Sequence, residues 1–161
     1  MTRPVSTNYT ALANALATHF GERLKTIVLF GSRSRGEARA DSDHDIFVVI
    51  EGLSLDPLER QREVMMPLIA ELDRLPERLS VIAKTPQELQ EDLAPLLVDI
   101  CVDGTALYGE PYFQAIQSQV LQLLREAGLQ RRYIAGTWMW MFPTPPKHDW
   151  TLTWKGYRER V

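Results

Sequence analysis

Residues 27–50 constrain the fold more than any other stretch of the chain. Two apolar runs, Ile27–Phe30 and Ile46–Ile50, are short and rich enough in β-branched residues to be buried strands. Between them lie Gly31-Ser32, a basic segment with Arg33, Arg35 and Arg39, and then Asp43-His44-Asp45. Alternation along a strand points Asp43 and Asp45 one way and His44 the other. Two neighbouring carboxylates repel, and a hard divalent cation between them, Mg²⁺ above all, relieves that repulsion. Gly31 lets the chain leave its strand tightly, so backbone N–H groups of a turn starting near Ser32 can face an anion. A phosphate cradle and a metal site are therefore expected side by side.

Gly31-Ser32, ten intervening residues and Asp43-His44-Asp45 resemble the Gly-Ser-x10-Asp-x-Asp signature of the DNA polymerase β-like nucleotidyltransferase superfamily. The longer strings Gly31-Ser32-Arg33-Ser34-Arg35-Gly36 and Ser42-Asp43-His44-Asp45-Ile46 are similar to its minimal nucleotidyltransferase branch. The run Asp99–Gly109 is similar to the way such domains close their sheet, which extends the likeness over roughly residues 10–125. The resemblance implies an α/β (α+β) fold, a small mixed sheet packed with helices. It also implies that Asp43 and Asp45 are the catalytic pair and hold Mg²⁺ against the triphosphate of an NTP, ATP first. Gly31 and Ser32 would hold the terminal phosphates, with Arg33 either beside them or a solvated loop charge. A hydroxyl acceptor on a protein or small molecule then attacks the α-phosphorus, and pyrophosphate leaves. In this branch the acceptor is often a tyrosine of a HEPN-type toxin, to which the nucleotidyltransferase is the antitoxin.

One departure stands out. The family commonly places a third acid on the strand after the long helix, and the order of residues around Leu79–Ala83 puts Ser80 there. A serine neither holds a metal as a carboxylate does nor serves as a base near neutral pH. Glu77 could reach in from the preceding loop, and Lys84 shares the face of Ser80 by alternation. The alternative to an active enzyme is thus a catalytically weakened nucleotide-binding or antitoxin-like partner-binding module.

Elsewhere the pattern is helical. Residues 7–20 carry the stripe Tyr9, Leu12, Ala13, Leu16 and Phe20, with Thr7 as a cap and Gly21 as a stop. Asp56-Pro57 opens a long helix that Pro67 is expected to kink or divide, with Leu58, Met65, Leu68, Ile69, Leu72 and Leu75 at helical spacing and Met65-Met66 as core filler. Thr85-Pro86-Gln87-Glu88 is a capping box. A helix interrupted at Pro95 runs to Gly104, an edge strand spans 105–108, and a last helix spans 112–127. Asp99 and Asp103 read as helix-surface charges, and the single cysteine, Cys101, as a small buried residue.

The domain is expected over residues 1–128, followed by an extension over 129–161. That extension holds all four tryptophans, and six basic against two acidic residues, a balance of +4 that leaves −7 for the rest. Such residues can cover the domain itself, meet a partner subunit or second copy of the chain, or bind single-stranded nucleic acid. The formal net charge of −3 argues against nucleic acid. No apolar run approaches membrane-spanning length, and a cytoplasmic location without membrane contact is the default expectation.

Overall fold

The computed structural model describes residues 6–160, with the side chains of residues 6–8 apart. Four strands form one mixed sheet in the order β3-β2-β1-β4. They are β1 (Leu24–Phe30), β2 (His44–Ile50), β3 (Leu79–Lys84) and β4 (Thr105–Tyr108). β1 runs antiparallel to β2 and β4, while β2 and β3 are parallel. A parallel pair needs a crossover, and the helix α3 (Pro57–Ile69) supplies it.

Alternation along the strands sorts the apolar residues into two cores, one on each face of the sheet. Ile27, Leu29, Ile46, Val48 and Ile50 pack with Leu12, Leu16 and Phe20 of α1 (Ser6–Phe20) and Val64 and Leu68 of α3. Val28, Phe47 and Val49 pack on the other face with α4 (Pro86–Glu91), α5 (Pro95–Asp103) and α6 (Glu110–Ala127). The continuous apolar character of Ile27–Phe30 in β1 and Ile46–Ile50 in β2 follows from this coverage of both faces. The polar residues that open β2, His44 and Asp45, are thereby directed to opposite faces at one end of the sheet.

Several expectations from sequence are met. The expected stripe on α1 is buried at Tyr9, Leu12, Leu16 and Phe20, whereas the Thr7 cap falls among side chains outside those described. Asp56 caps α3 through its carboxylate, which accepts from the N–H groups of Leu58 and Glu59. The Thr85–Glu88 capping box is formed, and Cys101 is fully buried. Others need correction. Pro67 does not divide α3: it lies in the last turn, where its missing N–H removes a bond just before the helix ends. The inward face of α3 is Val64 and Leu68, while Leu58, Met66, Ile69 and Leu72 are exposed. Met65 is partly buried against the core, so only half of the Met65-Met66 pair is core filler. Gly104 does end its helix, α5, as expected, but with an ordinary extended backbone; a glycine is required there because a Cβ would collide with Ile100 O and Val28.

Beyond α6 the chain forms two hairpins, β5 (Gln130–Ile134) with β6 (Thr137–Met141), and β7 (Trp150–Thr153) with β8 (Gly156–Glu159). Trp140, Leu152 and Trp154 pack against the core on the α5–α6 face. Trp140 Nε1 donates to Asp99 Oδ1 (3.0 Å) and Trp154 Nε1 to Leu89 O (2.6 Å).

Candidate active site

Asp45 stands in register with Phe30 of β1 on one side and Ser80 of β3 on the other. All three therefore share the face of the sheet that carries α5 and α6. Gly31, the residue after β1, passes directly over the Asp45 carboxylate. Its backbone lies at φ 74° and ψ −158°, a region that only glycine occupies at low cost. A Cβ at Gly31 would come within 3.0 Å of Asp45 Oδ2, closer than real Cβ atoms approach other atoms. The chain then turns at once into α2 (Ser32–Arg35), with Ser34 N and Arg35 N donating to Gly31 O. The first N–H groups of such a turn have no partner within it and are available to an anion. The glycine-serine turn and the second aspartate are thus in direct packing contact.

Negative charge at Asp45 is disfavoured. Burial raises the Asp45 pKa above its ordinary value, and the neighbouring Asp43 adds to that rise, with Arg35 opposing it. Asp43, just before β2, accepts from Arg78 Nε at 3.0 Å in a half-exposed ion pair. Arg78 was not singled out from sequence. The signal was available in alternation, because Arg78 precedes Ser80 by two residues and so shares its face. His44 points away, as alternation requires: its Nδ1 is hydrogen-bonded to the Tyr9 hydroxyl at 2.6 Å. Burial lowers the His44 pKa and Arg33 lowers it further, against a smaller opposite effect of Asp43.

The three arginines of the connecting segment separate by geometry. Arg33 lies on the His44 side, where its Nε and Nη2 both donate to Ser42 O (3.1 and 2.8 Å) and Nη2 also to Arg39 O (3.3 Å). It therefore shapes the loop that delivers the aspartates. Arg35 lies on the Asp45 side, ion-paired to Glu37 (3.0 Å) and Asp103 (3.2 Å). Asp103, expected to be a surface charge, is instead 10% exposed and is also gripped by Arg131. Asp99 receives Trp140 as described above. Neither acid is a free helix charge, because the C-terminal hairpins cover that end of α5.

Ser80 is exposed and stands in register beside Asp45. Glu77 lines a cavity of about 650 Å³ with Arg33, His44 and Arg78, to which neither Asp43 nor Asp45 contributes. Lys84 pairs in register with Val49 at the opposite end of the sheet and sits 3.8 Å from Glu88. Among the described residues no group of three or more His, Cys, Asp or Glu side chains is placed to hold a metal ion. Two carboxylates, Asp43 and Asp45, are therefore what this end of the sheet could offer a Mg²⁺ ion, which commonly takes one or two protein carboxylates and completes its shell with substrate phosphate and water.

This mixed sheet, with Asp45 at its end packed against a glycine-serine turn, defines an α/β domain of the nucleotidyltransferase kind. The model of the nucleotidyltransferase domain family matches residues 10–108, well over half of the chain, and the chain belongs to that family. The fold and the enzyme class expected from the motif are both met. Among solved structures, the chain is similar to a toxin–antitoxin crystallised with AMP-PNP, at 25% identity and a TM-score of 0.49, covering 74% of this chain and 91% of that one. It is similar to a mutant of the toxin–antitoxin MntA-HpeT at 23% identity and a TM-score of 0.45, with coverage of 74% and 91%. A putative nucleotidyltransferase from Sulfolobus solfataricus matches at 17% identity and a TM-score of 0.42, with coverage of 67% and 91%. Comparison with curated proteins finds no match. No helix among the described residues is long and apolar enough to cross a membrane.

Proposed function

We propose that the protein transfers AMP from ATP to a hydroxyl group on a protein acceptor, releasing pyrophosphate, with Asp43 and Asp45 as its Mg²⁺ ligands. The observation that carries this reading is the contact between Gly31 and the Asp45 carboxylate, which puts a turn able to receive an anion beside one of the two acids. Bound Mg²⁺ would neutralise phosphate charge and stabilise the attacking and leaving oxygens. The chain's own residues supply position. Gly31 and Ser32 present backbone N–H groups to phosphate. Arg35 holds positive charge on the Asp45 side, and Arg33 fixes the loop between turn and acids. Ser80 offers no carboxylate base, so the acceptor hydroxyl is deprotonated late or by a group of its own, which makes slow turnover the expectation.

The sequence strings of the minimal nucleotidyltransferase branch favour a HEPN-type toxin as the protein acceptor, with this chain as its antitoxin. Exposed Leu55, Leu58, Met66, Ile69 and Leu72 on and beside α3 support a protein partner, because exposed apolar patches mark interaction surfaces. The test is pyrophosphate release from each NTP with Mg²⁺, with and without candidate acceptors. Asp45→Asn should abolish turnover. It should also leave the unfolding temperature unchanged or raised, because it removes a charge that burial disfavours. Wild-type turnover in that variant would refute the metal-site assignment.

A further inference from the structure

The C-terminal extension meets the candidate site at one carboxylate. Asp103, the last residue of α5, accepts from both Nη atoms of Arg131 on β5, with Nη2 to Oδ2 at 2.7 Å. The same Oδ2 accepts from Arg35 Nη1 at 3.2 Å, and the Asp103 backbone carbonyl accepts from the Ser34 hydroxyl. Two of the four residues of α2 thus end on Asp103. A second tie runs through Trp138 of β6, whose Nε1 donates to Glu37 (3.3 Å), itself paired with Arg35. Arg131 is held flat against the hairpin, its guanidinium carbon 4.7 Å from the Trp138 ring centre and 5.9 Å from that of Trp140.

A single helical turn has no stability of its own, because nucleation costs more than one bond returns. α2 must therefore be held from outside. On the Asp45 side its anchors are Asp103 and Glu37, and each is in turn gripped by the hairpin. The Arg131–Asp103 fork is mostly buried, with side chains 13% and 10% exposed. Such a bidentate pair fixes geometry as well as charge. Losing one member leaves the other buried without its partner. Arg131 and Trp138 both lie beyond the residues matched by the family domain.

We propose that Arg131 is a positioning residue of the nucleotide site, acting through Asp103 to hold Arg35 and the 31–36 turn, so that the first C-terminal hairpin is part of the site. This assignment rests on the nucleotidyl-transfer reading for its consequence but not for its geometry, and the test separates the two. Amide hydrogen exchange is followed in wild type, Arg131→Ala and Arg131→Lys. ATP turnover with Mg²⁺ is measured in the same proteins, in Arg35→Ala and in the double variant. Arg131→Ala should speed exchange about tenfold at the amides of Arg35 and Glu37, the scale of a lost charge-assisted pair, while Val48 in β2 stays protected. It should raise KM for ATP by more than it lowers kcat. Arg131→Lys, which keeps the charge but not the fork, should restore part of both effects, and Arg131→Ala should add nothing in the Arg35→Ala background. Unchanged exchange at Arg35 and Glu37 would overturn the proposal. So would exchange raised equally at Val48, which signals general destabilisation, or additive effects of the two substitutions on KM. If the wild type neither binds nor consumes ATP, the nucleotidyl-transfer reading falls while the exchange result still decides whether the hairpin clamps the turn.

Discussion

Replacing Gly31 by alanine tests the site and the fold at once. The residue sits at φ 74° and ψ −158°, where a side chain costs about 1–3 kcal/mol. The new Cβ would also fall within 3.0 Å of Asp45 Oδ2, with Cγ next at 3.2 Å. The carboxylate is the end of a short side chain and can swing away, so most of the collision is relieved by displacing Asp45. The expected loss is about 2 kcal/mol, or roughly 4–8 °C in unfolding temperature for a chain of this length. Displacing Asp45 should cost nearly all turnover. Gly36→Ala is the control. Gly36 also has a positive φ, 74° with ψ 18°, but nothing lies within 4 Å of its added Cβ. Gly36→Ala should cost about 1 kcal/mol and leave turnover largely intact. Thermal unfolding by calorimetry and pyrophosphate release measure both variants. If Gly31→Ala is no less stable than Gly36→Ala and remains active, the turn does not pack on the aspartate as described.

Ser80→Asp should lower the unfolding temperature in EDTA, because a third carboxylate joins two that already repel, and Mg²⁺ should restore it and raise turnover; no Mg²⁺-dependent recovery would place Ser80 outside the metal site. Burial pushes the Cys101 thiol up to about 12, so a thiol reagent at pH 8 should label the protein only as it unfolds. For Glu88, burial alone would raise the carboxyl pKa, but hydrogen bonds from Thr85 and the Arg60 guanidinium outweigh it and the net shift is downward. A depressed folded value means stability is present above the ordinary value of 4.5 and lost as pH falls through the folded one. Glu88→Gln should therefore flatten the acid limb of stability against pH in urea unfolding, and an unchanged limb would remove this pair from the account.

Much of the fold was legible in the sequence because two cores on one sheet leave a simple record. The inner parts of β1 and β2, Ile27–Phe30 and Ile46–Ile50, are continuous apolar runs, and the polar residues that open β2 are the candidate site. The Thr85 capping box and the Asp56 cap are local chemistry and survive any tertiary context. What was not legible depended on neighbours far away in sequence. The face of α3 was misread because Leu58 and Ile69 keep helical spacing yet lie on its exposed side, and spacing says nothing about which face meets the sheet; Leu72, also exposed, lies past the end of the helix. Asp103 looked like a surface charge because its partner, Arg131, lies on a hairpin without a family pattern. Arg78 was overlooked because alternation gives its face, the same as that of Ser80, while its proximity to Asp43 comes from the parallel pairing of β2 and β3. Order along the chain put Ser80 on the strand after α3, and the parallel pairing sets it in register with Asp45.

The most direct test is binding of Mn²⁺, as a spectroscopic stand-in for Mg²⁺, followed by electron paramagnetic resonance in the presence of a non-hydrolysable ATP analogue. The wild type should hold the ion and nucleotide together, and Asp45→Asn and Asp43→Asn should each release the ion while remaining folded. Equal ion binding by all three proteins would mean that the two aspartates do not form the metal site.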